Sequence, residues 1–479
     1  MFKINKSDIL LLSSVTLVFL FVCIRAVCLD FTHDEAYSFL NIKQFWYAQF
    51  LCNANSHWLN SGAMKIASLL GAESQWALRW FSIVCSCGLL IMAFYFITSL
   101  PKASLKFFAF SVCCLNPFVL DYFVLARGYV SGMFFECMAF YFFIQCRRNY
   151  SAQKAFLALT SAGLAAIANF NFFYFFCAFS LVFFYENYFK NGYKFFKNKT
   201  FYWHGFIVIG FALLVLRALL FIKRCSNDLL LGTTNLFEGY FTSAIDSLFY
   251  LNLGEKNSLL IIPAILMLVW LILSVAIGLF SGKKHQNQIY YYASLILVLF
   301  LGLQIINHVF AGVMYPYYRS ALSLFPLICI NLICFCNYIS QRNKLLNYIF
   351  LLTGILFASN FIKNVQFTHT FDFYHQSESK QCFDLVKKLG AKNVGMCHEH
   401  FGVFINYYQP SDDYKYPFKG SQLNTYDESK DWVEKDLLHE MDFLILYPPY
   451  NLSYYKKRAV KFKAVKMYPI TKTVVLKVN

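Results

Sequence analysis

Hydrophobic positions in this chain gather into runs of about 20 residues, and a helix of that length crosses the roughly 30 Å hydrocarbon layer of a bilayer. Runs are read near 9–28, 78–98, 104–123, 129–146, 154–170, 172–189, 204–222, 258–280, 289–309, 320–339 and 345–362. Polar connections separate them. The pattern predicts an all-α polytopic membrane protein with about 11 transmembrane helices over residues 1–362, followed by a stretch of different character.

Charge placement orients the bundle. Lys3 and Lys6, Lys102 and Lys106, Arg147, Arg148 and Lys154, Lys190 through Lys199, Lys283 and Lys284, and Arg342 and Lys344 fall in every second connection. They are 15 of the 25 basic residues before position 363. The positive-inside rule then puts the N-terminus in the cytoplasm, and the segment after the first run and everything past residue 362 outside. Residues 36–76 are too polar to span, yet "AYSFLNIKQFWYAQF" and "HWLNSGAMKIASLLG" keep apolar residues at helical spacing, so amphipathic helices are expected in a first outer loop, 31–76.

Composition narrows the classes further. The chain is 58% hydrophobic and 14% charged, and its net charge of +17 follows, in the membrane part, from topology. No basic-aromatic recognition motif accompanies the charge, which excludes nucleic acid as a partner. "IRAVCLDF" is a poor cleavage site, so the first run reads as a retained anchor and the mature chain as starting near Met1. The 16 cysteines lack CxxC metal spacing and read as small packing residues without a disulfide framework.

Past residue 362 long apolar runs stop, and 13 of the 25 acidic residues occupy the remainder. "SESKQCFDLVKKLG" has helical spacing and ends on Gly390, while "KNVGMC", "DFLILY" and "KTVVLKV" read as short buried strands. A small α/β domain over 363–479, outside the membrane, is expected. "CHEHF" (His398, Glu399, His400) reads as surface or strand residues.

The stretch "CLDFTHDEAYSF" stands out. Asp30, His33, Asp34 and Glu35 follow directly on the first apolar run, although the membrane part holds few carboxylates. Charge beside an apolar phase is costly, so such groups are solvated, paired or functional. A structural reading is a helix cap in which Thr32 or Asp34 accepts from the following backbone.

A long first outer loop opening with "HDE" and carrying "SHWLNS" before "ESQWALRW" resembles that of the C-type (GT-C) membrane glycosyltransferases, a superfamily that includes protein mannosyltransferases and aminoarabinose transferases. "LNPFVLDYFVLARGYVSG" is similar to the family's third span and second outer turn. "YPYYRSALSLFPL" is similar to its late Arg-containing turn before a Pro-bearing span. The likeness runs in order along the membrane part.

The resemblance implies transfer of a sugar from a polyprenyl-phosphate donor to a hydroxyl acceptor on a lipid, glycan or protein, with inversion, on the periplasmic side of a bacterial inner membrane. Asp34 matches the family's general base, and Glu35 would orient the acceptor or Asp34; Asp30 and His33 are weaker candidates. Arg127 and Arg319, in short outer turns, and Lys223 and Arg224, opening the loop after the seventh run, would stabilise the departing phosphate. Asp121 is either a partner of Arg127, a helix-end carboxylate, or a second site acid. His57 and Tyr129 either bind phosphate or sugar or hold an interface. No cofactor is required by the resemblance, and a divalent metal is left open because adjacent side chains make a poor cage. Absence of GxGxxG and P-loop motifs agrees with a lipid-linked donor. A transporter or a polysaccharide ligase or polymerase is the alternative. A transporter calls for paired halves with charges at mid-membrane, and a ligase or polymerase for a long outer loop late in the chain. An outer-surface receptor would require the Asp-Glu pair to be dispensable.

Overall fold

A computed structural model describes residues 6–44, 57–189, 199–225, 232–249, 261–281, 288–343, 345–392, 394–396, 442–446 and 461–478. The chain divides into two compact units: unit 1 is Met1–Ala26 with Trp46–Val365, and unit 2 is Val27–Phe45 with Gln366–Asn479.

The principal helices are α1 (Lys6–Cys28), α2 (His33–Gln44), α3 (Trp58–Leu69), α4 (Trp80–Thr98), α5 (Ala103–Cys114), α6 (Pro117–Val124), α7 (Gly128–Arg148), α8 (Ala152–Ala168), α9 (Phe173–Asn187), α10 (Lys199–Cys225), α11 (Ser243–Phe249), α12 (Ile261–Ser281), α13 (Gln288–Ala311), α14 (Phe325–Ser340), α15 (Leu346–Asn364) and α16 (Ser379–Lys388). Helices α2 and α16 belong to unit 2. Among the described residues eight helical stretches are long and apolar enough to cross a membrane, with α14 extended N-terminally by a 3₁₀ turn from Tyr318. The run at 104–123 is instead a pair, α5 and α6, bent by 53°. Pro117 has no N–H to continue a helix, and Asn116 restarts one by accepting from Phe118 N at 3.1 Å and Val119 N at 3.3 Å.

Two expected spans are short helices. Helices α8 and α9 have 17 and 15 residues, because Asn169 caps a 3₁₀ turn at Phe170–Phe172 and takes the intervening apolar residues out of both helices. The eleven expected spans are therefore eight of full length, one bent pair and two short helices.

Contacts across helices sort the helix ends of unit 1 into two sets. At one end Lys106 Nζ meets Asp8 Oδ1 at 2.7 Å, Lys102 Nζ donates to Ser340 O at 2.6 Å, and Arg147 Nη2 lies 3.1 Å from Glu186 Oε2. At the other end Arg25 meets Asp121, Arg79 donates to the Ala26 carbonyl, His57 approaches the Ala168 carbonyl, Asn307 bonds Tyr174, and Asn360 donates to Leu248. Helix α1, the α5–α6 pair and α9 each carry a contact of one set near one end and of the other set near the opposite end. Because Arg147 and Glu186 close the same end, α8 and α9 together cross from that basic end and return.

Unit 2 carries a four-stranded sheet, β1 (Val394–Met396), β2 (Phe443–Leu446), β3 (Phe462–Met467) and β4 (Val474–Val478), in the order β1-β2-β4-β3. β1 pairs parallel with β2, and the other pairings are antiparallel. The helix and three strands expected in this region are present. β3 was not expected: "FKAVKM" is a largely exposed edge strand, and its Lys463 and Lys466 break the buried pattern by which the others were read. Helix α16 buries Cys382, Phe383 and Val386 and ends at Gly390, whose φ of +74° lets its N–H reach Lys387 O while Ala391 N reaches Val386 O. The "CHEHF" residues lie outside the described residues. The described cysteines are thiols.

Candidate active site

In unit 2 the acidic stretch is the start of α2. Thr32 and Glu35 form a reciprocal cap: Glu35 Oε2 accepts from Thr32 N and from Thr32 Oγ1, each at 3.0 Å, and Glu35 N approaches Thr32 Oγ1 at 3.3 Å. This is the Thr-x-x-Glu capping box, in which a side chain satisfies helix N–H groups and the Glu closes back on the cap. The cap foreseen for Thr32 is thus present, and its partner is Glu35, a residue expected to orient an acceptor. Glu35 is fully buried.

Asp34 points elsewhere. The residue is 6% exposed, its Oδ1 lies 3.6 Å from His33 Nδ1, and its backbone carbonyl accepts from Ser38 Oγ at 2.8 Å. The His33 amide donates to Gln376 Oε1 at 2.8 Å, so the first turn of α2 is held by the segment leading into α16, and the His33 ring stacks on Tyr37. Asp30 lies in the wall of a cavity of about one water's volume formed with Thr32, Thr370 and Gln376.

In unit 1 the non-basic end holds a cluster of buried polar residues. Asp121 is 1% exposed and accepts from Arg25 Nη2 at 2.6 Å. Arg79 and Arg127 are equally buried, and Arg79 Nη1 donates to Ala26 O at 3.1 Å, one residue from Arg25. Arg25, Arg79, Arg127 and the Asp121 carboxylate are therefore all buried, near helix ends of unit 1. The 53° bend at Asn116–Pro117 precedes α6, which carries Asp121, and Arg127 occupies the extended residue between α6 and α7.

His57 and Tyr129 belong to this cluster. The rings of His57 and Tyr129 are 5.3 Å apart and those of Tyr129 and Tyr122 4.8 Å, and His57 Nδ1 is 3.3 Å from Ala168 O. Gly128 makes this possible: a Cβ there would lie 1.8 Å from the Ala168 carbonyl oxygen and 2.7 Å from His57 Nδ1.

Of the remaining candidates, Arg319 is half-buried at the start of a turn that opens on Tyr318, a non-glycine residue at φ 45°. Tyr318 Oη donates to Asp246 Oδ2 at 3.0 Å, and desolvation raises the Asp246 carboxyl above its ordinary range against the opposing effect of that bond. Lys223 and Arg224, at the end of α10, are exposed.

Asp121 has Arg25 as a partner, a pairing the sequence reading did not anticipate. Arg25 and Arg79 were missed altogether. The available signal was Arg25 itself, an ionisable residue inside "FVCIRAVC", since charge within a span marks a paired or functional position. Glu136, buried nine residues beyond Arg127 in α7, was missed for the same reason. Among the described residues no set of three His, Cys, Asp or Glu side chains is grouped to hold a metal ion.

A helical bundle with a broken third span, and in the same chain a small α/β unit drawn from the loop after α1 and the C-terminal segment, define a polytopic membrane fold. Two solved structures share it nearly end to end. The crystal structure of ArnT from Cupriavidus metallidurans bound to undecaprenyl phosphate is 9% identical at a TM-score of 0.54, covering 98% of this chain and 97% of that one. The same protein in the apo state gives a TM-score of 0.51 at the same identity and coverage. No family model matches the chain, and no curated protein matches it in sequence.

Proposed function

We propose that this protein is a membrane glycosyltransferase that moves a sugar from a polyprenyl-phosphate donor to a hydroxyl acceptor on the outer face of a bacterial inner membrane. The observation that carries the proposal is the burial of Arg25, Arg79 and Arg127 near helix ends, with Arg25 on Asp121, on the fold of a protein whose crystal structure holds undecaprenyl phosphate. A guanidinium matches a phosphate in charge and in its fork of donors, and a lipid phosphate is an anion that reaches such a site through the bilayer.

In the reaction, the acceptor oxygen attacks the anomeric carbon, the C–O bond forms on the face opposite the phosphate, and the bond to the phosphate oxygen breaks. Asp34 takes the acceptor proton. The polyprenyl phosphate leaves with one more negative charge, which Arg127 and Arg319 stabilise without bulk water, with Lys223 and Arg224 attracting the anion from the surface. His57 and Tyr129 hydrogen-bond the phosphate or sugar. Asp121 orients Arg25, and Glu35 holds the turn that carries Asp34. No step calls on a metal or other cofactor.

The test is binding of polyprenyl phosphate to the purified protein. Arg127→Ala and Arg319→Ala should each weaken it by 10-fold or more while the protein stays monodisperse, since a desolvated charge-assisted bond is worth about 1.5–3 kcal/mol. Unchanged binding in both would remove the phosphate role.

A further inference from the structure

Unit 1 contains a second feature that the proposed transfer leaves unused. A cavity of about 1160 Å³ runs from the basic end toward the middle of the bundle, between α1, α4, α7 and α14. Its inner wall is apolar, with Leu89, Met92, Phe140 and Cys329 among the lining side chains. Its mouth is charged: Lys106 and Asp8 form an ion pair there, and Arg148, at the last turn of α7, is exposed. Among the described residues no carboxylate is ion-paired with Arg148.

We infer that this cavity is a binding site for an anionic phospholipid of the cytoplasmic leaflet, with its acyl chains in the apolar interior and its phosphate on Arg148 and Lys106. Three observations select that occupant. The volume exceeds the roughly 300–1,000 Å³ that houses a drug-sized molecule, and the walls offer chains rather than polar groups a partner. The charge at the mouth is basic in excess, with one carboxylate, Asp8, already held by Lys106. The mouth also lies at the end of unit 1 opposite the Arg25, Arg79 and Asp121 cluster, whereas the donor's phosphate is assigned to that cluster. A lipid whose headgroup sits at the basic end is therefore a different molecule, and the positive-inside pattern puts that headgroup in the leaflet where phosphatidylglycerol and similar lipids meet Lys and Arg.

The experiment is native mass spectrometry of the full-length protein after graded delipidation, followed by re-addition of phosphatidylglycerol or phosphatidylethanolamine. Phosphatidylglycerol should remain bound at detergent levels that strip phosphatidylethanolamine. Arg148→Gln should lower its retention at least 5-fold, and Ala93→Trp, which projects an indole into the cavity, should abolish it. Lys154→Gln, a half-buried lysine near the same end but outside the cavity, should retain it as the parent does. Polyprenyl phosphate, added as competitor, should not displace the phospholipid. Equal retention of both phospholipids, unchanged retention in both cavity variants, or displacement by polyprenyl phosphate would each overturn the inference. Phosphatidylglycerol retention is scored separately from sugar transfer, so failure here leaves the proposed reaction standing, and the reverse also holds.

Discussion

Arg25 and Asp121 stand 96 residues apart in the chain and meet as a buried ion pair, Nη2 to Oδ1 at 2.6 Å, where α1 ends and the bent third span turns. Breaking such a pair strands one charge out of water, which costs about 3–5 kcal/mol, whereas removing both leaves less to compensate. Arg25→Met should therefore lower the thermal stability of the purified protein sharply, and Arg25→Met with Asp121→Leu should recover part of the loss. A double variant no more stable than the single would show that Asp121 is held by other groups once Arg25 is gone.

Asp34 and Glu35 are neighbours in sequence to which the proposed reaction gives separable jobs. Asp34→Asn keeps size and most hydrogen bonding but cannot take a proton, so sugar transfer in reconstituted membranes should fall by roughly 10²–10⁴-fold with polyprenyl phosphate binding intact. Transfer near the parental rate would place the base elsewhere.

Glu35→Ala removes one half of the capping box with Thr32. It should reduce stability by about 0.5–2 kcal/mol, and Glu35→Gln, which keeps the N3 acceptor, should be milder. If Glu35→Gln abolishes transfer while leaving stability unchanged, Glu35 acts in chemistry as well as in the cap.

Gly128→Ala should be among the most damaging small substitutions, because the added methyl would meet the Ala168 carbonyl oxygen at 1.8 Å and backbone cannot step aside as a flexible side chain would. Forcing atoms into such a site costs about 1–3 kcal/mol or more. Loss of monodisperse protein, or a marked drop in melting temperature, is expected; a parental melting temperature would refute the close packing of α7 on α8.

Asp246 has its carboxyl raised by desolvation, partly offset by the bond from Tyr318. A carboxyl raised in the folded state disfavours its charged form there, so it weighs against folding above the folded-state value and ceases to do so as pH falls below the unfolded one. Asp246→Asn, which still accepts from Tyr318, should raise the melting temperature at neutral pH, with the gain shrinking as the pH is lowered toward the ordinary carboxylate range. A gain that grows on acidification would reverse the sign.

The linear pattern alone determined most of the membrane architecture. Apolar runs of bilayer length and Lys and Arg in alternate connections are local and additive, so the helices and their alternating ends were legible without any contact. The helix and the buried strands of unit 2 were legible too, because Gly390 and continuous apolar stretches mark them. What only the tertiary structure decided were pairings across long separations. Arg25 with Asp121, Arg79 with the Ala26 carbonyl, and the bond from His33 to Gln376 that ties α2 to the C-terminal segment all join residues whose distance apart no periodicity encodes. The break between α8 and α9 falls where the runs near 154–170 and 172–189 meet; what the structure added is the Asn169 cap on the Phe170–Phe172 turn. β3 escaped notice because an edge strand needs no apolar face, its partner β4 supplying the hydrogen bonds that hold it.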